Sequence, residues 1–238
     1  MTLYREHGIV LRTYKLGEAD RIVVLATRGR GKVRAVAKGV RKTRSKFGAR
    51  LEPPSHVALQ LYEGRELDIV TQAETVDAFR PIREDLDRWS RAASMLEAVD
   101  QLALEDEPNP RQYQMLLGAL RALAAHVSPL VVPAFYWKLL AAEGLRPELD
   151  QCVACGRADE LVAFDLDAGG VLCRECRHGS AVTPAALGLL REILGGGLGG
   201  ALNAPESDAT REVDHLATRA MEHHLERRLR SVHLLDRG

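Results

Sequence analysis

Two pairs of closely spaced cysteines constrain the fold of this chain more than any other feature of its sequence. The motifs C-V-A-C (152–155) and C-R-E-C (173–176) have 17 residues between them and contain all four cysteines of the 238-residue chain. Two such knuckles at this separation place four thiolates around one tetrahedral metal ion, typically Zn²⁺. Gly156 follows the first motif, where a tight turn favours a residue that tolerates a positive φ. The predicted ligands are Cys152, Cys155, Cys173 and Cys176.

A zinc ion bound by four cysteines has no open coordination position, so we expect one structural Zn²⁺ per chain. It would hold together residues 151–179, a segment too small to bury a core of its own. Between the two motifs, LVAFDLDAGGVLC is typical of a hairpin that turns at Gly169 and Gly170. The alternative interpretation of the same cysteines is a pair of redox dithiols.

Positive charge is concentrated in residues 28–50, RGRGKVRAVAKGVRKTRSKFGAR, named here the basic segment. The chain as a whole is neutral, with 33 basic and 33 acidic residues, whereas this segment has ten basic residues and no acidic one. Cations without counter-anions repel one another unless a polyanion neutralises them. We therefore predict a surface that binds nucleic-acid phosphates, with a solvated charged face as the alternative. The predicted DNA contacts are Arg28, Arg30, Lys32, Arg34, Lys38, Arg41, Lys42, Arg44, Lys46 and Arg50.

The first 80 residues contain five runs of alternating or β-branched residues, which indicate strands. The runs are HGIVLRTYKL, ADRIVVLAT, GKVRAVAKG, HVALQLYEG and ELDIVTQAE. In the last run Leu67, Ile69 and Thr71 alternate with Asp68 and Val70, a period of two. Five short strands suit a small antiparallel barrel, of which the oligonucleotide-binding (OB) fold is the common example. An SH3-like barrel or a plain meander is also compatible with the pattern.

The basic segment lies on the predicted third strand and the loop after it. Arg30, Lys32 and Arg34 alternate along that strand, so we expect them to project from one face of the sheet. Three aromatic residues are candidates either to stack on bases or to fill the core: Tyr14, Phe47 and Tyr62. Because the basic residues far outnumber these aromatics, backbone electrostatics should dominate and no sequence specificity is expected.

After Pro81 the hydrophobic period changes from two to about 3.6, which predicts helices. The first predicted helix has an apolar face of Ile82, Leu86, Trp89, Ala93 and Leu96. A second begins at Asn109 and Pro110, with a stripe of Tyr113, Leu116, Leu117, Leu120 and Leu123. A third contains Phe135, Leu139 and Leu140 and ends at Gly144, and a fourth runs from Thr183 to Leu194. The last runs from about Ala209 to Leu235. Its inward residues are Val213, Leu216, Ala220, Leu229 and Val232.

These elements predict an α+β multidomain chain. An OB-fold barrel occupies residues 1–80, an all-helical domain occupies 81–150 and 180–238, and a Cys₄ zinc finger is inserted at 151–179. The sequence contains no HExxH, GxxxxGK[ST] or GxSxG motif, so we do not expect an enzyme. The longest uncharged stretch, residues 122–137, is 16 residues long and contains two prolines, so no membrane span is expected.

Several stretches of this chain resemble the bacterial RecO family of recombination mediator proteins. They are GIVLRTYKLGEADRIVVLATRGRGKVRAVAKGVRKTRSKFGARLEP, LLAAEGLRPELDQCVACG, GGVLCREC and HHLERRLRSVHLL. The first is the most specific, with G-E-x-D before one strand and K-G-x-R-K-x-x-S-K-F after the next. The order of a basic barrel, a helical body and a Cys₄ knuckle pair before the final helices is also similar to that family.

The resemblance implies a role in DNA repair by homologous recombination and a cytoplasmic, nucleoid-associated location. RecO-like proteins bind single- and double-stranded DNA, anneal complementary strands and, with the ring-forming partner RecR, help to load the RecA recombinase on DNA coated by single-stranded DNA-binding protein (SSB). Carried over to matching positions, the resemblance implies zinc ligation by the four cysteines and DNA contacts at Arg30, Lys32, Arg34, Lys38, Arg41, Lys42, Arg44 and Lys46.

The SSB tail is acidic and apolar, so its receptor needs a cation beside an apolar groove. The candidate residues for this partner site are Phe135, Lys138 and Leu139. Two other classes of function stay open at this point. One is a zinc-containing RNA-binding or translation-associated factor, because barrels of this kind also hold RNA. The other is an enzyme such as a nuclease whose carboxylates form no recognisable motif.

Overall fold

The computed structural model describes residues 2–229. Its N-terminal strands are β1 (Leu3–Leu16), β2 (Asp20–Thr27), β3 (Gly31–Ala37), β4 (His56–Tyr62) and β5 (Asp68–Asp77). They close into a barrel of order β1-β2-β3-β5-β4, in which β3 and β5 run parallel and the other neighbours antiparallel. This closed barrel is the predicted OB fold, and it excludes the open meander.

The barrel interior follows from the alternation of side chains along each strand. In β3, Val33, Ala35 and Ala37 are buried in the barrel core, whereas Lys32 and Arg34 lie on the outer surface. The loop between β3 and β4 contains a short 3₁₀ helix (Gly48–Leu51), and the loop residues Phe47 and Leu51 are fully buried in the same core. Phe47 is therefore a core residue and not a platform for bases.

The predicted period of two in β5 is interrupted within the strand. Its buried residues are Val70 and Ala73, while Ile69 and Thr71 are only partly buried. Gln60 of β4 pairs with Gln72, and the next residue, Leu61, pairs with Val70, so Thr71 is an extra residue on β5. A bulge of this kind breaks the period of two, and the sequence alone does not locate it.

The first predicted helix is divided in two. A short helix, α1 (Arg80–Arg83), ends before Asp85, whose side chain accepts a hydrogen bond from the Arg88 N–H and thereby caps α2 (Leu86–Leu102). Ile82 therefore does not share a helical face with the later residues, and Leu86 at the start of α2 is 80% exposed. The buried apolar residues of α2 are Ala92, Met95, Leu96, Ala98 and Val99.

The second predicted helix is confirmed. In α3 (Pro110–Ala125) the Asn109 side chain accepts a hydrogen bond of 2.9 Å from the Gln112 N–H, and Pro110 is the first helical residue. The five residues of the predicted stripe are buried. The helices α1 and α3 pack on α2, and both α2 and α3 contact the barrel.

The described residues divide into two compact units. The first comprises residues 2–125 with Leu229, and the second comprises residues 126–228. In this division α1, α2 and α3 group with the barrel, and the domain boundary after residue 80 stays a prediction.

The second unit contains helices and a small sheet. Its elements are α4 (Val131–Ala142), β6 (Leu161–Asp165), β7 (Gly170–Cys173), β8 (Ser180–Ala181), α5 (Pro184–Gly195), α6 (Leu198–Ala201) and α7 (Asp208–His224). The helices α4, α5 and α7 pack on one another, and the strand order in the sheet is β7-β6-β8. The helix α4 ends before Gly144, as predicted, where φ is +88°.

The last helix is shorter than predicted. It ends at His224 because Glu226 adopts a left-handed conformation with φ of +52°, so Leu229 is buried but lies outside the helix. The predicted inward residue Val232 falls outside the described residues. Within residues 2–229, no helix combines the length and the apolar character needed to cross a membrane.

Candidate nucleic-acid interface and metal centre

The basic segment comprises β3 of the barrel, the turn before it, and the loop after it, which is held in place at both ends. Beyond β3, the Gly39 N–H donates to the Asp20 carboxylate at 2.7 Å, and the Arg41 N–H donates to the Ala19 carbonyl at 2.9 Å. At the other end, Phe47 is buried in the barrel core. Residues 38–50, named here the basic loop, are therefore held against the β1–β2 turn while their charged side chains stay exposed.

The three cations that alternate on the predicted strand already have anionic partners. The Lys32 ammonium donates to the Asp100 carbonyl at 2.8 Å and lies 3.9 Å from its carboxylate. Arg34 pairs with Glu105 at 3.5 Å, and Arg30 pairs with Glu63 at 3.8 Å while its guanidinium lies 3.9 Å from the Tyr4 ring centroid. These partners come from distant parts of the chain, so the uniform positive strand face expected from local sequence is partly neutralised.

Lys32 is the least accessible of the predicted DNA contacts. Its side chain is 16% exposed, and its backbone N–H donates to the Leu104 carbonyl at 3.0 Å. The loop after α2 therefore covers the free edge of β3 at this point. The prediction that Lys32 contacts DNA is not carried forward, because a phosphate would have to displace these contacts.

The other seven basic residues of the segment form no ion pair within residues 2–229. Several of them donate to backbone carbonyls: Arg41 to those of Gly17 and Glu18, Lys46 to that of Thr71, and Arg50 to that of Lys46. The Lys46 ammonium also lies 4.9 Å from the Phe47 ring centroid. Such contacts orient a side chain without neutralising its charge. The seven exposed cations are Arg28, Lys38, Arg41, Lys42, Arg44, Lys46 and Arg50.

The four cysteines meet in the second unit, as their spacing predicts. All four Sγ atoms lie within 4.8 Å of one another, and those of Cys155 and Cys173 are 3.7 Å apart. A tetrahedral site with Zn–S bonds of about 2.3 Å requires S–S separations of about 3.8 Å, so the donors fit one ion. Gly156 has the positive φ, +77°, that the turn after the first knuckle needs.

The pKa values of these thiols indicate that several thiolates are unfavourable together unless a cation neutralises them. Backbone N–H donors, chiefly that of Cys173, lower the pKa of Cys152 to about 6. The neighbouring sulfur atoms, with Cys155 first, raise the pKa of Cys176 to about 12. Several thiolates at these distances repel one another unless a dication neutralises them, so the cluster can hold a metal ion with sulfur ligands only.

Two protein-family models match the chain over nearly its whole length. Residues 1–79 match "Recombination protein O N terminal", and residues 83–233 match "Recombination protein O C terminal". The chain is also similar to proteins named DNA repair protein RecO from Thermobifida fusca (strain YX) and from Frankia casuarinae. Each is 44% identical over 244 residues, with 100% of both chains covered.

The chain belongs to the RecO family.

Membership of the RecO family confirms the resemblance carried by the sequence stretches and supports a general role in DNA repair and recombination. The N-terminal family model ends at residue 79 and the C-terminal one begins at residue 83, close to the predicted end of the barrel domain.

The predicted partner site of this RecO-family chain is not an open groove. Phe135 and Leu139 are 4% and 0% exposed, and only Lys138 between them is partly accessible. The expectation failed because α4 is apolar nearly all round, so the face that looked available in the sequence is packed.

A cleft that the sequence did not predict lies in the same unit. Its volume is about 540 Å³, and Trp137, Leu140 and Phe164 are among its apolar lining residues. Arg146 and His223 also line it, and His223 lies 3.4 Å from the Asp167 carboxylate. The Trp137 indole N–H is buried and has no hydrogen-bond partner in the described part of the chain.

Proposed function

We propose that this RecO-family chain binds single- and double-stranded DNA without sequence specificity and anneals complementary strands. The observation that carries the proposal is the set of seven exposed, unpaired cations on one segment of the barrel unit. Each backbone phosphate neutralised by such a cation releases counterions, which drives binding to any sequence. An exposed cationic loop suits a polyanion better than it suits a compact acidic ligand.

Annealing follows from the same electrostatics. Two complementary strands repel one another through their phosphates, and a cationic surface that binds both lowers the barrier to their meeting. The protein makes and breaks no covalent bond in this process, so neither a nucleophile nor a general base is required. We accordingly propose a non-enzymatic role, with RecR as the partner for RecA loading and the nucleoid as the place of action.

The metal in this proposal is one structural Zn²⁺ held by Cys152, Cys155, Cys173 and Cys176. The donor set supports zinc, because four thiolates are soft ligands and the cluster offers only sulfur. A closed Cys₄ site supplies stability and no chemistry. The ion would link the two knuckles to the sheet formed by β6, β7 and β8, in which Cys173 is the last residue of β7.

The decisive experiment is reversal of charge in the basic loop. The triple variant Lys38→Glu, Arg41→Glu and Arg44→Glu should lose most DNA binding and strand annealing, measured by fluorescence anisotropy and by energy transfer between labelled complementary strands. The matched control reverses Arg65, Arg80 and Arg111, which are exposed cations outside the basic segment. Equal behaviour of the two variants would contradict the proposal, and a strong preference of the wild type for structured RNA would favour an RNA-binding factor.

We propose that the SSB tail binds in the cleft lined by Trp137, Leu140 and Phe164, and not on the buried face of α4. Its apolar floor suits apolar side chains, the unpartnered Trp137 N–H suits a carbonyl or carboxylate, and Arg146 suits an acidic tail. In a Trp89→Phe variant Trp137 is the sole tryptophan, so titration with an acidic peptide ending in apolar residues should change its fluorescence. Introducing Arg146→Ala into the Trp89→Phe variant should weaken this fluorescence change. An unaltered spectrum at saturating peptide would reject this location.

A further inference from the structure

An acidic stretch of the loop between α2 and α3 crosses the edge of the barrel. This stretch, L-E-D-E, comprises residues 104–107 and is exposed to solvent. Its backbone is bridged to Gly31 and Lys32 of β3 through Glu105, and the Lys32 N–H donates to the Leu104 carbonyl at 3.0 Å. We name this stretch the acidic strap, since it carries three consecutive carboxylates across β3.

The acidic strap is fixed at both ends and in its middle. The helix α2 ends at Leu102 and α3 begins at Pro110, and both helices pack on the barrel. Between them, the Leu104 and Glu107 carbonyls lie so close to Gly31 that a Cβ atom at this position would collide with both. Because glycine has no side chain, the backbone of the strap can approach β3 here. The strap is therefore held against β3 by its backbone.

Glu105 of the strap is the counter-ion of Arg34. Its carboxylate lies 3.5 Å from the guanidinium, and both side chains are about half-exposed. A surface ion pair usually contributes little, because two long side chains have to be ordered to form it. In this pair the backbone of Glu105 is already bridged to β3, so less entropy is lost and the carboxylate stays beside Arg34.

The strap carries more negative charge than Arg34 compensates. Asp106 and Glu107 are exposed and form no ion pair within residues 2–229. On the same strand, Lys32 is held by the carbonyl and the carboxylate of Asp100. The first half of β3 therefore has a surplus of carboxylates, whereas the cations of the basic loop are unpaired. A DNA phosphate is repelled at the strap and attracted at the basic loop.

We propose that the acidic strap competes with DNA phosphates for the outer face of β3, so that DNA is confined to the basic loop and its affinity is limited. This inference rests on the proposed DNA-binding and annealing function and names an internal control of the same surface. An annealing protein has to release the duplex that it has formed, and affinity differences between related complexes lie mostly in the dissociation rate. The phosphate contact that Glu105 withholds at Arg34 therefore speeds the release of the product.

The test neutralises the strap while keeping the size of its side chains. The strap variant is Glu105→Gln, Asp106→Asn, Glu107→Gln, and its control changes three exposed glutamates elsewhere to glutamine, Glu74, Glu84 and Glu143. One additional phosphate contact makes the salt slope more negative by about 0.7 to 0.9, which corresponds to about 5- to 8-fold tighter binding at about 0.1 M salt. Fluorescence anisotropy with oligothymidine and with duplex should show both changes for the strap variant. The control should show a smaller gain and an unchanged slope.

Arg34 distinguishes a specific effect of the strap from a general change of charge. Arg34→Ala should weaken DNA binding by about 5- to 8-fold in the strap variant and by less than about twofold in the wild type, where Glu105 already neutralises Arg34. The single change Glu105→Gln, which keeps the backbone contacts, should show the same dependence on Arg34. With less protein than DNA, the strap variant should anneal labelled strands with slower turnover than the wild type although it binds them more tightly.

Three results would overturn the inference while leaving the proposed function intact. One is the same affinity and salt slope for the strap variant and its control. Another is a loss of about 5- to 8-fold for Arg34→Ala in the wild type, which would show that DNA reaches Arg34 in spite of Glu105. The third is turnover by the strap variant that equals or exceeds that of the wild type. Failure of the wild type to bind either DNA would reject the proposed function itself.

Discussion

At the scale of single residues, His56 shows how burial sets a pH dependence. Its Nε2 lies 2.7 Å from the Tyr113 hydroxyl, and the histidine is 5% exposed. Burial first, and then the charges of His7 and Arg121, lower the His56 pKa from 6.5, while Asp77 acts in the opposite direction. The folded protein therefore holds His56 neutral more strongly than the unfolded chain does.

The predicted consequence is a loss of stability in mild acid. Below pH 6.5 the unfolded chain takes up a proton at His56 that the folded protein resists, so the free energy of unfolding falls until the pH passes the lower folded pKa. Thermal unfolding between pH 8 and 5 should show this fall in the wild type and a smaller one in His56→Gln. The exposed His215→Gln should match the wild type. Parallel curves for His56→Gln and wild type would contradict this assignment.

Residue-scale features were predictable when their chemistry was local. The spacing of the cysteines predicted the cluster that Cys152 and Cys155 form with the second pair, and the neighbours of Asn109 predicted a helix cap. The counter-anions of Lys32 and Arg34 were not predictable, because Asp100 and Glu105 approach β3 only through the tertiary packing of α2. For the same reason Phe135 was assigned to a surface although it is packed.

At the scale of elements, the cysteine knuckles are tied to a small sheet. The strands β6 and β7 have five and four residues, and β8 has two, which is too little to form a stable sheet alone. The Arg174 N–H donates to the Glu160 carbonyl at 3.0 Å, so the second knuckle is tied directly to the start of β6. We therefore expect the ion to matter for stability and not for DNA contact.

Removal of the metal should lower the thermal stability before it lowers DNA affinity. Even a loss of about 2 kcal/mol would reduce Tm by roughly 4–8 °C in a chain of this size. A chelator should produce this shift in the wild type, and no further shift in Cys155→Ser, which already lacks a ligand. DNA affinity is measured on protein that is still folded by circular dichroism. Loss of affinity at unchanged Tm would mean that the knuckles contact DNA.

The elements themselves were predictable where period and caps agreed. The strands β1 to β4 and the helix α3 follow their patterns closely. The failures share one cause, a local backbone event inside a regular pattern: the bulge at Thr71, the cap at Asp85, and the left-handed Glu226. Thr71 and Glu226 are neither glycine nor proline, so the sequence gives no strong signal of an interruption there. Asp85 is a preferred N-cap residue, but it lies inside an apolar pattern that continues from Ile82 to Leu96.

At the scale of the whole molecule, the net charge of zero is the sum of two oppositely charged parts of the chain. Residues 1–80 have a net charge of +7 and the remaining 158 residues have −7, but the sign of a segment does not decide what it binds. Three of the ten basic side chains are partly or wholly compensated by carboxylates, and seven are not. The account depends on those seven, since DNA binding and annealing both require free cations in one place.

The salt dependence of DNA binding tests this central claim most directly. If five to seven phosphates are neutralised, a plot of log K against log salt concentration should have a slope between about −4 and −6 for wild-type protein. The Lys38→Glu, Arg41→Glu, Arg44→Glu variant should have a slope closer to zero by about 2 to 3, whereas reversal of Arg65, Arg80 and Arg111 should leave it unchanged. A wild-type slope near zero would show that the basic loop does not meet the DNA backbone.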